Sequence, residues 1–217
     1  MSDLFSPLVE HAIETAAEWH DGTYRKGRWT DSCIDTDDVG RVPTMAHVTT
    51  VALTVQRAGW NDHAVAAAFL HDALEDGNRH RESLSRDALV ARVGERVVRI
   101  VEAVSEPKTD LEGVPLPWRA RKEAYLERLA SGPVEAAAVS LADKLHNAYA
   151  MSSSLEAGID IFCDGPNRRG LSAGAQHQRW FFVAVLDVSR RHPDDRLVWM
   201  RRRLEGEVQR FEGAAGL

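Results

Sequence analysis

Residues that could bind a metal ion and transfer protons are crowded into one short stretch of this 217-residue chain. Residues 69–77, of sequence FLHDALEDG, place one imidazole and three carboxylates within six positions, directly after an apolar Ala/Val run. Burying such groups together costs desolvation and mutual repulsion unless a cation or a substrate offsets them. The stretch therefore favours a metal site.

Two further segments supply ligands of the same kind. His47 lies on the first turn of a predicted helix, and Asp143 interrupts the apolar pattern of another. Together with His71 and Asp72 they provide two imidazoles and two carboxylates. Mixed nitrogen and oxygen ligation suits a divalent ion better than a thiolate-selected metal. We favour Mn²⁺, with Fe²⁺, Zn²⁺ and Mg²⁺ as alternatives.

Glu75 and Asp76 form a second acidic pair beside these ligands. They follow His71 and Asp72 at the i,i+4 spacing, which on a continuous helix places them one turn further along the same faces. Acidic residues are disfavoured at the negatively polarised end of a helix unless a cation is near. The pair is therefore a candidate for positioning a water molecule and transferring its protons.

Helical periodicity dominates the rest of the chain, and no convincing alternating strand is found. Apolar residues recur at helical spacing in segments that begin near residues 7, 44, 61, 85, 95, 118, 134, 176 and 194. Residues 22–42, 106–117 and 158–174 are predicted to be loops. The length suits one well-buried domain, so we predict a single all-α domain over residues 1–217.

Composition excludes several classes of function. The 27 basic and 33 acidic side chains give a net charge of −6, which argues against broad binding to nucleic acid or to an anionic membrane. The two cysteines, Cys33 and Cys163, form no CxxC pair, so a reducing compartment fits. Neither a signal sequence nor a run of about 18 apolar residues is found. We expect a cytoplasmic protein that binds a small molecule.

Short motifs occur in a fixed order along most of the chain. They are His20 with Arg25-Lys26, Pro43 with His47, HDALED at 71–76, VSE at 104–106, Trp118 with Arg121-Lys122, and LADKLHN at 141–147. This ordered set resembles the HD-domain phosphohydrolases, and within them the hydrolase domain of the RelA/SpoT-type enzymes and their small single-domain relatives. The resemblance implies an all-α bundle of about eight to ten helices around a buried metal site.

The resemblance also implies an activity and residue roles. One manganese ion would be held by the two histidines and two aspartates described above, while Glu75 and Asp76 position and deprotonate the attacking water. Substrate contacts are implied for five residues: Arg25, Lys26, Asn147, Arg121 and Lys122. The reaction would be hydrolysis of the 3'-pyrophosphate of the guanosine alarmone (p)ppGpp, which releases pyrophosphate.

Departures from the family pattern bear on the substrate. The linker after Lys26 is longer than in the small alarmone hydrolases, and Val48 stands where a proline is common. Gln176 and Trp180 occupy the positions at which those enzymes place an Arg and a Tyr against the nucleotide. The metal ligands match the pattern better than the substrate contacts do.

Alternatives remain open at this level. The chain could hydrolyse another phosphorylated nucleotide or a phosphomonoester. It could also be a non-catalytic nucleotide-binding sensor, although the presence of Glu75 and Asp76 argues against this. Taken alone, His71 would be interpreted as a core histidine and Arg25-Lys26 as a solvated surface pair; only the combination of motifs favours a functional site.

Overall fold

The computed structural model describes residues 4–29, 41–110, 112–164 and 169–217. Within these ranges the elements follow in this order: α1 (Pro7–Trp19), β1 (Tyr24–Trp29), β2 (Arg41–Pro43), α2 (Thr44–Arg57), α3 (Asp62–Leu70), α4 (Arg86–Val93), α5 (Glu95–Ala103), α6 (Trp118–Ser131), α7 (Val134–Glu156), α8 (Ala175–Ser189) and α9 (Arg196–Ala215). The predicted all-α class and helix number are confirmed. No helix in the described ranges is long and apolar enough to cross a membrane.

Local sequence signals determine where several helices begin. Before α1, the Ser6 side chain accepts a 3.4 Å hydrogen bond from the backbone nitrogen of Val9, and Pro7 occupies the first helical position. Before α3, Asn61 Oδ1 accepts a 3.1 Å hydrogen bond from the backbone nitrogen of Ala64. These caps satisfy N–H groups that a helix leaves without an internal partner.

The helices α3 and α7 form the centre of the bundle. Every residue from 64 to 70 is buried, and α3 packs against α1, α2, α5 and α7. Its small alanine side chains permit this close approach. The long helix α7 packs against α2, α8 and α9 and carries Asp143 on its buried face. The C-terminal end of α3 and the middle of α7 therefore support one central site.

The prediction of a loop over residues 22–42 is wrong for two short segments, which form the strands β1 and β2. β1 pairs with β2 in an antiparallel arrangement, with Tyr24 opposite Pro43. Neither strand shows an alternating apolar pattern, so periodicity gives no signal for this short ribbon, which packs on α2 and α7. The remainder of that predicted loop, residues 30–40, lies outside the described residues.

The i,i+4 interpretation of the acidic pair requires a helix that continues past His71 and Asp72, and the structure does not show one there. α3 ends at Leu70, and residues 71–75 form consecutive turns. Side chains from other elements bind the carbonyl groups of this segment. Trp19 Nε1 donates a 2.8 Å hydrogen bond to the carbonyl of Asp76, and Lys108 Nζ donates to the carbonyl of Glu75. These bonds stabilise a turn geometry that periodicity does not encode.

Candidate metal centre and adjoining cavity

Four side chains from three parts of the fold converge at the centre of the bundle. His47 Nε2 lies 3.2 Å from His71 Nε2 and 3.2 Å from Asp143 Oδ1. One ligand atom from each of these three buried residues lies within 4.8 Å of the others. Asp72 adds carboxylate oxygens 3.3 Å from His71 Nε2 and 3.7 Å from His47 Nε2. The structure thus brings together the four residues predicted to bind a metal.

The electrostatics of this cluster favour a positive charge at its centre. Burial, together with Arg25, lowers the pKa of His47 to about 3. Burial acts in the same direction on His71, yet Asp72 and Asp143 raise the pKa of His71 to about 9. The two Nε2 atoms would repel each other unless a proton or a cation lay between them. A divalent cation bound by two imidazole nitrogens and carboxylate oxygens fits this donor set.

Hydrogen bonds from outside the cluster orient its members. His71 Nδ1 lies 2.8 Å from the carbonyl of Ala68, which can only accept, so in the neutral ring the proton belongs on Nδ1 and the lone pair on Nε2. Asn147 Nδ2 donates a 2.6 Å hydrogen bond to Asp143 Oδ1, and Lys144 Nζ donates to Oδ2. Burial would raise the pKa of Asp143, but Lys144 and the histidines hold that pKa well below its usual range. The Asp143 carboxylate is therefore ionised and fixed in orientation.

The acidic pair lies beside the cluster. Glu75 Oε1 accepts a 2.6 Å hydrogen bond from the backbone nitrogen of Glu106. Burial and the neighbouring Asp72 raise the pKa of Glu75 to about 8. The Asp76 carboxylate lies 3.8 Å from Lys108 Nζ and lines the adjoining cavity. A carboxyl group that titrates near neutral pH is suited to accept and return a proton.

A cavity of about 270 Å³ opens beside the cluster. Its charged lining is formed by five residues: Arg25, Asp72, Asp76, Lys122 and Lys144. Neutral lining residues include Asn147, Met151, Leu171, Gln178 and Phe181. Three cations and two carboxylates therefore line the cavity. The N–H groups of the cations can donate charge-assisted hydrogen bonds to the oxygens of an anionic phosphate.

Three of the five predicted substrate-contacting residues line this cavity: Arg25, Lys122 and Asn147. Arg25 donates a hydrogen bond from its terminal nitrogen to Asn147 Oδ1, while its buried Nε has no partner among the described residues. Arg121 does not line the cavity and instead pairs with Glu106 at 3.1 Å. Lys26 lies on β1, and its side chain is outside the described part of the structure.

Lys144 and Gln178 are among the cavity residues that were missed from the sequence. Lys144 lies within the LADKLHN motif, and a signal was available, because the chain contains only four lysines, Lys26, Lys108, Lys122 and Lys144. Three of them contact or line the site, and the fourth follows Arg25. Gln178 gave no comparable signal. The family pattern instead aligns Gln176 and Trp180 with nucleotide contacts. Gln176 is exposed, and the Trp180 ring centroid lies 3.3 Å from Cζ of Arg119.

Comparisons with known proteins bear on this geometry. A model of the HD domain family matches residues 31–160. A metazoan ortholog of SpoT, reported to hydrolyse ppGpp and to play a role in starvation responses, superposes with a TM-score of 0.64 at 21% identity, covering 96% of this chain and 97% of that one. A crystal structure of a protein from Listeria monocytogenes EGD-e superposes with a TM-score of 0.58 at 22% identity, covering 79% and 99%. No curated protein sequence matches. At 21% and 22% identity, these two comparisons show that the chain shares its fold with both structures.

Proposed function

The chain belongs to the HD domain family, and from this premise we propose that it is a metal-dependent phosphohydrolase. The observation that carries the proposal is the buried cluster of His47, His71 and Asp143, with Asp72 beside it, at the wall of a cation-lined cavity. The proposed substrate is a phosphorylated nucleotide, specifically (p)ppGpp. The bond broken is the ester that joins the 3'-pyrophosphate to guanosine.

His47, His71, Asp72 and Asp143 would hold the divalent cation, which we propose to be manganese. Such a cation, when bound, lowers the pKa of a water molecule and offsets charge on a phosphate. The residues around the ligands keep them ready for this role. Lys144 and Asn147 fix both oxygens of the Asp143 carboxylate, so that this ligand cannot rotate away.

Glu75 is proposed to accept the proton of the attacking water. The backbone nitrogen of Glu106 holds Oε1 in place and leaves the rest of the carboxyl group for proton transfer. A pKa raised by burial to about 8 makes the ionised form a stronger base than an ordinary glutamate and allows the protonated form to return the proton to the leaving oxygen. Asp76 is proposed to orient the water from its position in the cavity wall.

Substrate binding is proposed to depend on the three cations of the cavity. Arg25 is fixed through Asn147, and Lys122 is fixed through an ion pair with Glu106. Lys144 is buried and bound to Asp143, so it provides a fixed charge close to the ligand cluster. Together they would bind the anionic pyrophosphate, while the neutral lining faces the nucleoside.

The choice of (p)ppGpp rests on the motif resemblance and on the fold shared with the metazoan SpoT ortholog. One observation favours a second candidate, another phosphorylated nucleotide or phosphomonoester. The cavity contains Gln178 and Phe181, whereas Gln176 and Trp180, which align with the nucleotide-contacting Arg and Tyr of alarmone hydrolases, lie outside it. A non-catalytic sensor is disfavoured because Glu75 is held beside the cluster.

The test is a substrate panel. Purified protein is incubated with Mn²⁺ and with ppGpp, pppGpp, other 3'- and 5'-phosphorylated nucleotides and a simple phosphomonoester, and products are followed by phosphorus NMR. We expect pyrophosphate from ppGpp and pppGpp, and none when a chelator is present. Faster hydrolysis of a different substrate would replace the alarmone assignment and keep the phosphohydrolase. No hydrolysis of any substrate would refute the enzyme proposal.

A further inference from the structure

His146 contacts His47 on the side opposite to the metal-ligand cluster. The Nδ1 atoms of the two rings lie 2.6 Å apart, while His47 Nε2 faces His71 and Asp143. The ring centroids are 4.9 Å apart and the planes differ by 28°. Because the centroid separation exceeds the nitrogen separation by about two ring radii, the rings meet edge to edge through Nδ1, which is the geometry of a hydrogen bond.

Metal binding determines the direction of this hydrogen bond. A neutral imidazole carries its proton on one nitrogen and a lone pair on the other. If His47 Nε2 binds a cation, the ring proton lies on Nδ1 and must be donated to Nδ1 of His146. His146 then carries its own proton on Nε2. A ligating histidine usually donates its second N–H in this manner, which fixes the orientation of its ring.

We propose that His146 is a positioning residue that holds His47 in the tautomer and orientation required for metal binding. The proposal rests on the metal site proposed above. It adds a role for a residue of the LADKLHN motif that the ligand set leaves unexplained.

The placement of His146 on α7 supports this role. His146 and Asn147 follow Asp143 by three and four residues, so all three lie on one face of the helix. Asn147 orients Asp143 directly, and His146 orients His47 across the interface between α7 and α2. A single turn of α7 thus supplies one ligand and the hydrogen bonds that position two.

The two ligating histidines differ in how their orientation is secured. His71 donates to the backbone carbonyl of Ala68, an acceptor that no side-chain substitution removes. His47 depends on a side chain, and an imidazole accepts through Nδ1 in only one of its neutral tautomers. Substitution of His146 should therefore disturb His47 and leave the hydrogen bond of His71 intact.

Two substitutions separate the hydrogen bond from the bulk of the side chain. His146→Leu removes the acceptor. His146→Asn keeps an acceptor, because Oδ1 of asparagine is bonded to Cγ as Nδ1 of histidine is. His192→Leu is the matched control, since His192 is also half-buried and does not contact His47. Its Nε2 lies 3.2 Å from the carbonyl of Leu129 on α6.

The readout is Mn²⁺ affinity measured by titration of the free-ion EPR signal, with the melting temperature of each metal-free variant recorded in chelator. We expect His146→Leu to weaken binding by about 10- to 100-fold and His146→Asn to stay within about threefold of the wild type. His192→Leu should not change the affinity. Equal affinity of His146→Leu and wild type, or equal loss in the Leu and Asn variants, would overturn the role of His146.

A second measurement uses only the wild-type protein. In the wild-type protein loaded with diamagnetic Zn²⁺, nitrogen-15 NMR of the imidazoles should show the His146 proton on Nε2, and a proton on Nδ1 would contradict the proposal. If the wild type binds neither Mn²⁺ nor Zn²⁺, the metal site of the proposed function fails. If it binds them and only the His146 expectations fail, the metal site stands.

Discussion

Glu75 Oε1 lies 2.6 Å from the backbone nitrogen of Glu106, so the loop that follows α5 holds one of the two acidic residues beside the metal-ligand cluster. The side chain of Glu106 points to α6, where it pairs with Arg121 and Lys122. The same loop also sends Lys108 to the carbonyl of Glu75. The residue proposed to transfer the proton and a cation proposed to bind the substrate are thus held by one segment.

Glu75→Gln should abolish proton transfer without disturbing this arrangement. The amide oxygen of glutamine still accepts the hydrogen bond from Glu106, but the side chain cannot take a proton from water. We expect kcat to fall by about 10²- to 10⁴-fold, with Mn²⁺ affinity close to that of the wild type. Pyrophosphate release and EPR titration measure the two quantities. Glu123→Gln, an exposed change on α6, is the control and should retain full activity.

The same substitution should change how stability depends on pH. Because the pKa of Glu75 is raised from 4.5 to about 8, the folded protein binds a proton between these values that the unfolded chain has lost. The contribution of Glu75 to the free energy of unfolding therefore decreases as the pH rises through this window. In chelator, the melting temperature of Glu75→Gln minus that of the wild type should increase as the pH is raised from 5 to 8. If the melting temperatures of the two proteins changed with pH in parallel, this prediction would be contradicted.

The ligand cluster was predictable because its members break otherwise apolar helical patterns. His47, Asp143 and the His71-Asp72 pair are polar groups within apolar helical segments, and their combination with the other motifs indicated a shared site. The turn at residues 71–75 was not predictable, since Trp19 and Lys108 stabilise it from distant parts of the chain. The backbone N–H of Glu106 as the donor to Glu75 was also not predictable, because every residue except proline carries a backbone N–H.

Asp72→Ala tests whether the cluster binds metal as a unit. Asp72 is the most exposed of the four proposed ligands, with 22% of its side chain accessible, so its removal should leave the bundle folded. We expect Mn²⁺ uptake to be lost while the far-ultraviolet circular dichroism stays that of the wild type. Asp187→Ala, a change to an exposed residue of α8 that pairs with Arg190, controls for loss of negative charge. Unchanged uptake in Asp72→Ala would exclude Asp72 as a ligand.

Lys122→Gln should weaken substrate binding rather than chemistry. Lys122 lines the cavity but does not contact the cluster, so its charge should act mainly on the bound phosphate. Loss of one charge-assisted hydrogen bond predicts a rise in KM of about 10- to 100-fold, with kcat changed much less. Arg119→Gln, a change to an exposed cation on the same helix that does not line the cavity, should leave both constants unaltered. A selective fall in kcat would assign Lys122 to the reacting groups.

Gln178→Leu tests which part of the cavity receives the nucleoside. Gln178 Nε2 donates a 3.3 Å hydrogen bond to the carbonyl of Ala173, which leaves the amide oxygen as the acceptor for an N–H group of a ligand. Losing one neutral hydrogen bond should raise KM for the nucleotide substrate by about 2- to 10-fold.

Two comparisons make this last prediction specific. A simple phosphomonoester has no base, so its hydrolysis should be the same in Gln178→Leu and wild type. Gln176→Leu is the matched control, because Gln176 lies on the same helix but is exposed and does not line the cavity. If Gln176→Leu raised KM and Gln178→Leu did not, the nucleoside would lie where the family alignment places it. If only Gln178→Leu did so, the base would lie within the cavity, and its N–H groups would be the feature that this protein selects.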